Sequence, residues 1–97
     1  MKTPITGIIK DVKLIELTEL TLQYIYGTVE CDNLGRWHPG DWMVSSAITR
    51  IDSENMLVHT RNRLYKIDAL QAPILLNAKQ FLLVRQGVSP SNFQEHS

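Results

Sequence analysis

Two long runs of β-branched and aliphatic residues lie almost back to back at the start of this chain, and little except a β-hairpin can be made from them. Ile5–Leu17 interleaves Ile8, Ile9, Val12, Leu14, Ile15 and Leu17 with Lys10, Lys13 and Glu16. After Thr18-Glu19, Leu20, Leu22, Tyr24 and Tyr26 alternate with Thr21, Gln23 and Ile25, and the run continues through Val29 and Cys31. Alternation with a period of two is the mark of a strand with one face buried. β-Branched and aromatic side chains suit such a pleated surface. The apolar phase changes between Leu14 and Ile15, which predicts a bulge or bend there, and it slips again at Gly27.

The rest of the chain carries further strand signals. Asp32-Asn33-Leu34-Gly35-Arg36 is a turn by composition, and Pro39-Gly40 suits the centre of a type II turn. Trp42–Ile51 reads as a third strand, with Trp42, Val44, Ser46 and Ile48 on one face and Met43, Ser45, Ala47 and Thr49 on the other. Asp52-Ser53-Glu54-Asn55 closes a second hairpin, and Met56–Ile67 is a fourth strand with a polar middle, His59-Thr60-Arg61-Asn62-Arg63. Trp42, Val44, Ile48, Leu57 or Val58, Tyr65 and Ile67 are expected in the core. The chain is thus mainly β, a small antiparallel meander or an SH3-like or OB-like barrel, since closure removes unpaired edges.

Two readings stand open for residues 73–86. Pro73 suits the first turn of a helix, Ile74, Ala78, Phe81, Leu82 and Arg85 share a helical face, and Gly87 is a natural stop. The rival is a short extra hairpin, Ile74–Leu76 and Phe81–Arg85, turning at Asn77-Ala78-Lys79-Gln80. A helix makes the class α+β. Residues 1–88 form one domain, and the polar stretch 89–97 is expected to be a flexible tail.

Composition narrows the function classes. Lys and Arg number 10, Asp and Glu number 10, and the formal net charge is zero. A duplex-DNA binder working mainly through phosphates usually carries a basic excess, so any charge effect here is local. Near-zero charge also gives little repulsion between copies. Cys31 is the single cysteine, which rules out a disulfide within the chain and fits a reducing compartment. No apolar run is long enough to span a bilayer, and Met1-Lys2-Thr3-Pro4-Ile5-Thr6 lacks the apolar centre of a signal peptide. The expected location is cytoplasmic, with no membrane contact, and the chain reads as a complete small gene product.

Gly40-Asp41-Trp42-Met43-Val44-Ser45-Ser46-Ala47-Ile48, followed by His59-Thr60-Arg61-Asn62-Arg63-Leu64-Tyr65-Lys66-Ile67, resembles a pattern in short phage and bacterial proteins of no known activity. Those read as Gly-Asp-Trp-x-x-Thr/Ser-Ser-x-Ile/Val, a tight turn, then Thr-Arg-Asn/Ser-x-x-Tyr-x-Leu/Ile. The likeness spans residues 40–67, and Ala47 stands where those relatives often carry proline. It implies a hairpin and a phage or prophage origin, and it transfers no catalytic or binding residue. Read from the residues, Asp41 serves backbone amides of its turn, while Thr60 and Asn62 serve backbone groups at a bend.

Chemistry-bearing constellations are thin. His38, His59 and His96 share no metal-ligand spacing, and Cys31 has no cysteine partner. Ser45 or Ser46 with His59 and Asp41 is the one imaginable nucleophile set, but serines within strands are usually pairing residues. No nucleophile elbow or glycine-rich phosphate loop is present. No catalysis, cofactor or metal is therefore expected. The local asymmetry is His59–Lys66, with Arg61, Arg63 and Lys66 and no acid, near Arg36 and Arg50 and the aromatic Trp37, Trp42 and Tyr65. The candidate binding surface is Arg61, Arg63, Lys66, Trp37 and His59.

The expected function is a small non-catalytic interaction module for a protein partner or a second copy of itself. The alternative is a small barrel for single-stranded nucleic acid, which such basic and aromatic surfaces bind. A homodimer is expected from open strand edges and from leucines, Leu75, Leu76 and Leu83, lying off the helical stripe. In a regular strand Arg61 and Arg63 point to one face together with Leu57, His59 and Tyr65. On the structural alternative, Arg63 pairs with Glu30 or Asp32.

Overall fold

A computed structural model describes residues 4–93. Seven strands, β1 (Gly7–Leu17), β2 (Leu22–Asp32), β3 (Trp42–Val44), β4 (Ile48–Asp52), β5 (Leu57–Thr60), β6 (Leu64–Ile67) and β7 (Ile74–Leu76), precede helix α1 (Ala78–Arg85). A 3-10 turn follows over Pro90–Phe93. The protein is mainly β, as the sequence predicts. The sheet order is β3-β2-β1-β6-β5-β4, with β7 beside β1. Two antiparallel three-strand meanders are therefore joined through a parallel pair, Gly7–Ile9 against Tyr65–Ile67. The sheet is open, with β3 and β4 at its ends, and it curls until β4 approaches β2.

The β1–β2 hairpin forms as expected, but its phase changes have another cause. Both of its faces are buried. Ile9, Val12, Leu14, Ile25 and Val29 enter a first core inside the curl, with Met43, Val58, Tyr65 and Ile67. Ile15, Leu17 and Tyr24 enter a second core on the other face, with Ile74, Leu76, Phe81 and Val84. Leu14 and Ile15 are thus neighbours on opposite faces of an unbroken strand. The wider irregularity lies earlier, between Lys10 and Lys13, where Asp11 takes a positive φ of 53°. Gly27 sits opposite. A Cβ there would lie 2.5 Å from Ile9 Cγ2 and 2.9 Å from the Lys10 carbonyl oxygen, so only glycine allows the approach. The Asp68 carboxylate accepts from the Asp11 and Val12 amides at 2.8 and 3.3 Å, filling the gap between β6 and β7 along β1.

Two expected strands each split. Trp42–Ile51 breaks at Ser45, whose buried hydroxyl accepts from the Ile25 amide at 3.0 Å and donates to the Ser46 carbonyl at 2.8 Å. Met56–Ile67 breaks at Arg61–Arg63, where the Thr60 amide donates to the Arg63 carbonyl and closes a tight turn. Trp42 is not a core residue. Met43 pairs with Gly27 on the inner face, so Trp42 turns outward, 44% exposed, and stacks on Tyr26 with ring centroids 6.1 Å apart. Val44, Ile48 and Leu57 are half-buried, while Val58, Tyr65 and Ile67 are buried as expected.

The C-terminal segment holds the helix and not the extra hairpin: Phe81–Arg85 lies within α1, and only Ile74–Leu76 of the hairpin reading is a strand. Ile74–Leu76 is a strand parallel to β1, so Pro73 precedes a strand rather than opening a helix. Asn77 caps α1 in a reciprocal capping box with Gln80. Gly87, at φ 110°, ends it, with Val88 and Gly87 amides returning to the Leu83 and Val84 carbonyls. Phe81 and Val84 are buried, whereas Leu82 is 56% exposed, because strand β7 shifts the buried stripe of the helix. Leu76 is buried, while Leu75 and Leu83 are exposed. Within the stretch expected to be a flexible tail, Pro90 is buried and Phe93 packs on the second core. Residues 94–97 lie outside the described residues. No helix among the described residues is long and apolar enough to cross a membrane.

Candidate functional site

The turn after β2 is organised by one carboxylate. Asp32, with its side chain 1% exposed, accepts from the backbone amides of Arg36 at 2.7 Å, Trp37 at 3.0 Å and Leu34 at 3.3 Å. It also meets Arg36 Nε at 3.5 Å. Burial pulls the pKa of Asp32 upward, but the amides of Trp37, Leu34 and Arg36 and the guanidinium outweigh it and hold the group below its ordinary value. Arg36 is fixed from three sides. Its Nη2 donates to the Tyr65 hydroxyl at 3.3 Å, Asp32 holds Nε, and its guanidinium carbon lies 4.1 Å from the centroid of the Trp37 ring. The next turn behaves as its sequence predicts, with Gly40 at φ 96° and the Asp41 carboxylate accepting from the His38 amide at 2.9 Å.

Beside this assembly lies a groove of about 230 Å³, lined by Arg36, Trp37, Ser45, Ser46, Arg61, Asn62, Arg63 and Tyr65. The Thr60–Arg63 turn also forms the wall of a second groove, about 440 Å³, with Thr49, Arg50 and His59 across from it. Arg61 and Arg63 thus serve both grooves. Among the described residues no aspartate or glutamate lines either one. Among the described residues Arg50, Arg61 and Arg63 form no ion pair, and Arg63 Nη1 donates only to the Asn62 carbonyl at 3.1 Å. A third recess, about 600 Å³, has an apolar floor of Ile5, Leu57 and Leu64 beneath Arg50, His59 and Asp52. There the Asn55 side chain and amide hold Asp52 below its ordinary pKa, with the positive charge of Arg50 a smaller contribution.

Four of the five candidate residues are brought together. Trp37, Arg61 and Arg63 share the first groove, and His59 joins Arg61 and Arg63 in the second. Lys66 stands apart: it is exposed, while its neighbour Tyr65 points to the interior, so the two lie on opposite sheet faces. Arg61 and Arg63 belong to a turn and not to one regular strand, so strand parity does not set their direction. Asp32 pairs with Arg36 rather than Arg63. Tyr65 is 3% exposed, too buried to offer a stacking face, and its hydroxyl accepts from Arg36. Asp32 and Arg36 are the residues that sequence reasoning underrated. Their i, i+4 spacing across Gly35 was the available signal.

Ser45 is committed to Ile25 and Ser46. Among the described residues no cluster of three His, Cys, Asp or Glu side chains is placed to hold a metal ion. Comparison with known proteins returns no match: no protein-family model, no curated protein and no solved structure is significantly similar to this chain.

Proposed function

We propose that this chain is a small non-catalytic binding module whose joined grooves take a single-stranded nucleic acid. The observation that carries this reading is the convergence of Arg50, Arg61 and Arg63 on two adjoining grooves that, among the described residues, no acidic side chain lines. Zero net charge does not weaken it, because salt screens exposed charges beyond about 8–10 Å and the local field governs binding. A guanidinium presents a fork of donors that matches phosphate oxygens. The neutral donors Ser46 and Asn62 in the first groove suit exposed base edges.

The test is fluorescence anisotropy with a labelled single-stranded oligomer over a range of salt. Each phosphate contact contributes a slope of about 0.7 on single strands, so three arginines predict a fall of log K with log salt of about 2. Arg61→Ala and Arg63→Ala should each flatten that slope by close to one contact. Absence of binding at about 100 μM protein in low salt, where even non-specific binders associate, removes the reading.

A second reading, association with a protein partner or a second copy of the chain, rests on a separate observation. Leu82, Leu83 and Leu75 are exposed, and Trp42 stands beside Gly87 at the end of α1. Exposed apolar groups of this size gain by being covered. Sedimentation equilibrium tests it, with a dimer mass supporting the reading and a concentration-independent monomer mass removing it.

A further inference from the structure

The two grooves differ in chemistry, and the difference turns on Arg36. Its positive charge is already matched by Asp32, which receives it together with three backbone amides. A guanidinium so paired releases little further counterion on meeting a phosphate. Its plane is a different matter. The guanidinium carbon lies over the Trp37 ring, 4.1 Å from the centroid, and Tyr65 and Asp32 hold Nη2 and Nε. The side chain remains 33% exposed and lines the first groove. Arginine planes of this kind accept stacked bases as aromatic rings do.

Building on the proposed single-strand binding, we infer that Arg36 is a nucleobase-stacking platform and not a phosphate ligand. Trp37 backs the platform from below, and Asp32 and the Tyr65 hydroxyl fix its tilt before any ligand arrives. The first groove then receives a base, while Arg50, Arg61 and Arg63 follow the sugar-phosphate backbone through the second. Preorganisation reduces the ordering cost of binding, which long flexible side chains otherwise impose. The two roles separate cleanly: the platform recognises a planar ring, and the free arginines recognise charge.

The deciding experiment compares a thymidine oligomer of about ten nucleotides with an abasic oligomer of the same phosphate count, a length typical of the sites of small single-strand-binding domains. Arg36→Lys is the informative variant, because it keeps the charge and the partner for Asp32 but has no planar face. It should weaken the thymidine oligomer about tenfold, as expected for one lost base stack, leave the abasic oligomer within about twofold, and leave the salt slope of both unchanged. Arg61→Ala should weaken both oligomers equally and flatten both slopes. A thermal melt of each variant confirms that it is folded. Equal loss on both oligomers, a flattened slope for Arg36→Lys, or no loss at all overturns the platform while the groove still binds anions. If the unaltered protein binds neither oligomer, both the platform and the nucleic-acid reading fall.

Discussion

The β1–β2 hairpin and the β4–β5–β6 meander are built from similar residues and are covered to different extents. The hairpin has long strands and is covered on both faces, by the curl of the sheet on one side and by β7 and α1 on the other. Even the Asp11 and Val12 amides at its kink find an acceptor, in Asp68. The meander has strands of four or five residues, and its turn and outer face carry Arg50, His59, Arg61 and Arg63 without acidic partners in ion-pair contact among the described residues. Full coverage makes the hairpin the scaffold. Incomplete coverage leaves the meander with charge available to a ligand. Stability should therefore concentrate in the first region and binding in the second.

The sharpest test of that division is a cavity in the hairpin. Ile25 is fully buried, and Ile25→Ala should cost about 2–5 kcal/mol in urea unfolding. A loss below about 1 kcal/mol, within the range of ordinary surface changes, would mean that the hairpin is not the scaffold. Gly27→Ala follows. Its Cβ would press on the Lys10 carbonyl and Ile9, so the opposing strand must shift, at about 1–3 kcal/mol. A neutral result would show that the kink at Asp11 relaxes freely.

At the junction of the two regions stands Asp32. Its folded pKa lies below the ordinary value of 3.8, so its contribution to stability is complete above that value and is lost as pH falls through the folded pKa. Asp32→Ala should cost about 1–3 kcal/mol at neutral pH, through amides left without their acceptor. The gap between variant and parent should close on acidification below the ordinary value. A gap that stays constant with pH would assign the loss to packing alone.

Local signals carried much of the architecture. The β-rich blocks, the turn at His38–Asp41, the helix over Ala78–Arg85 and its glycine stop all rest on neighbours within a few residues. What was not legible depends on distant partners. The parallel pairing of β1 with β6 and β7 has no local signature. Burial of both hairpin faces reads in the sequence as a broken phase. The site was half legible for the same reason: Arg61, Arg63, His59 and Trp37 are flagged by residue type, whereas the fixing of Arg36 needs Tyr65 from another strand. Trp42 shows the hazard of reading one strand alone, since alternation gives two faces and does not say which is inner. Its half-exposed position predicts that Trp42→Ala costs about 1–2 kcal/mol, below the cost of a buried tryptophan, the pair with Tyr26 supplying about 1 kcal/mol of it. A loss of about 3 kcal/mol or more, typical of a buried tryptophan, would mean that another copy covers it in solution.

The smallest expected effect tests the meander most directly. Arg61 and Arg63 hold no ion pair among the described residues, and Arg61 is exposed at the tip of its turn. Arg63 is half-buried, and unpaired surface charges contribute little to folding, so Arg61→Ala and Arg63→Ala should each change stability by less than about 0.5 kcal/mol. Had Arg63 paired with Glu30 or Asp32, its removal would strand a carboxylate and cost more, and the loss would vanish in salt or acid. With Asp32 already engaged by Arg36, that coupling is missing. A double-mutant cycle between Arg63→Ala and Asp32→Ala should accordingly show additive stability effects, whereas the cycle between Arg36→Ala and Asp32→Ala should not. Coupling in the first cycle would place Arg63 in the scaffold and return the meander to a purely structural role.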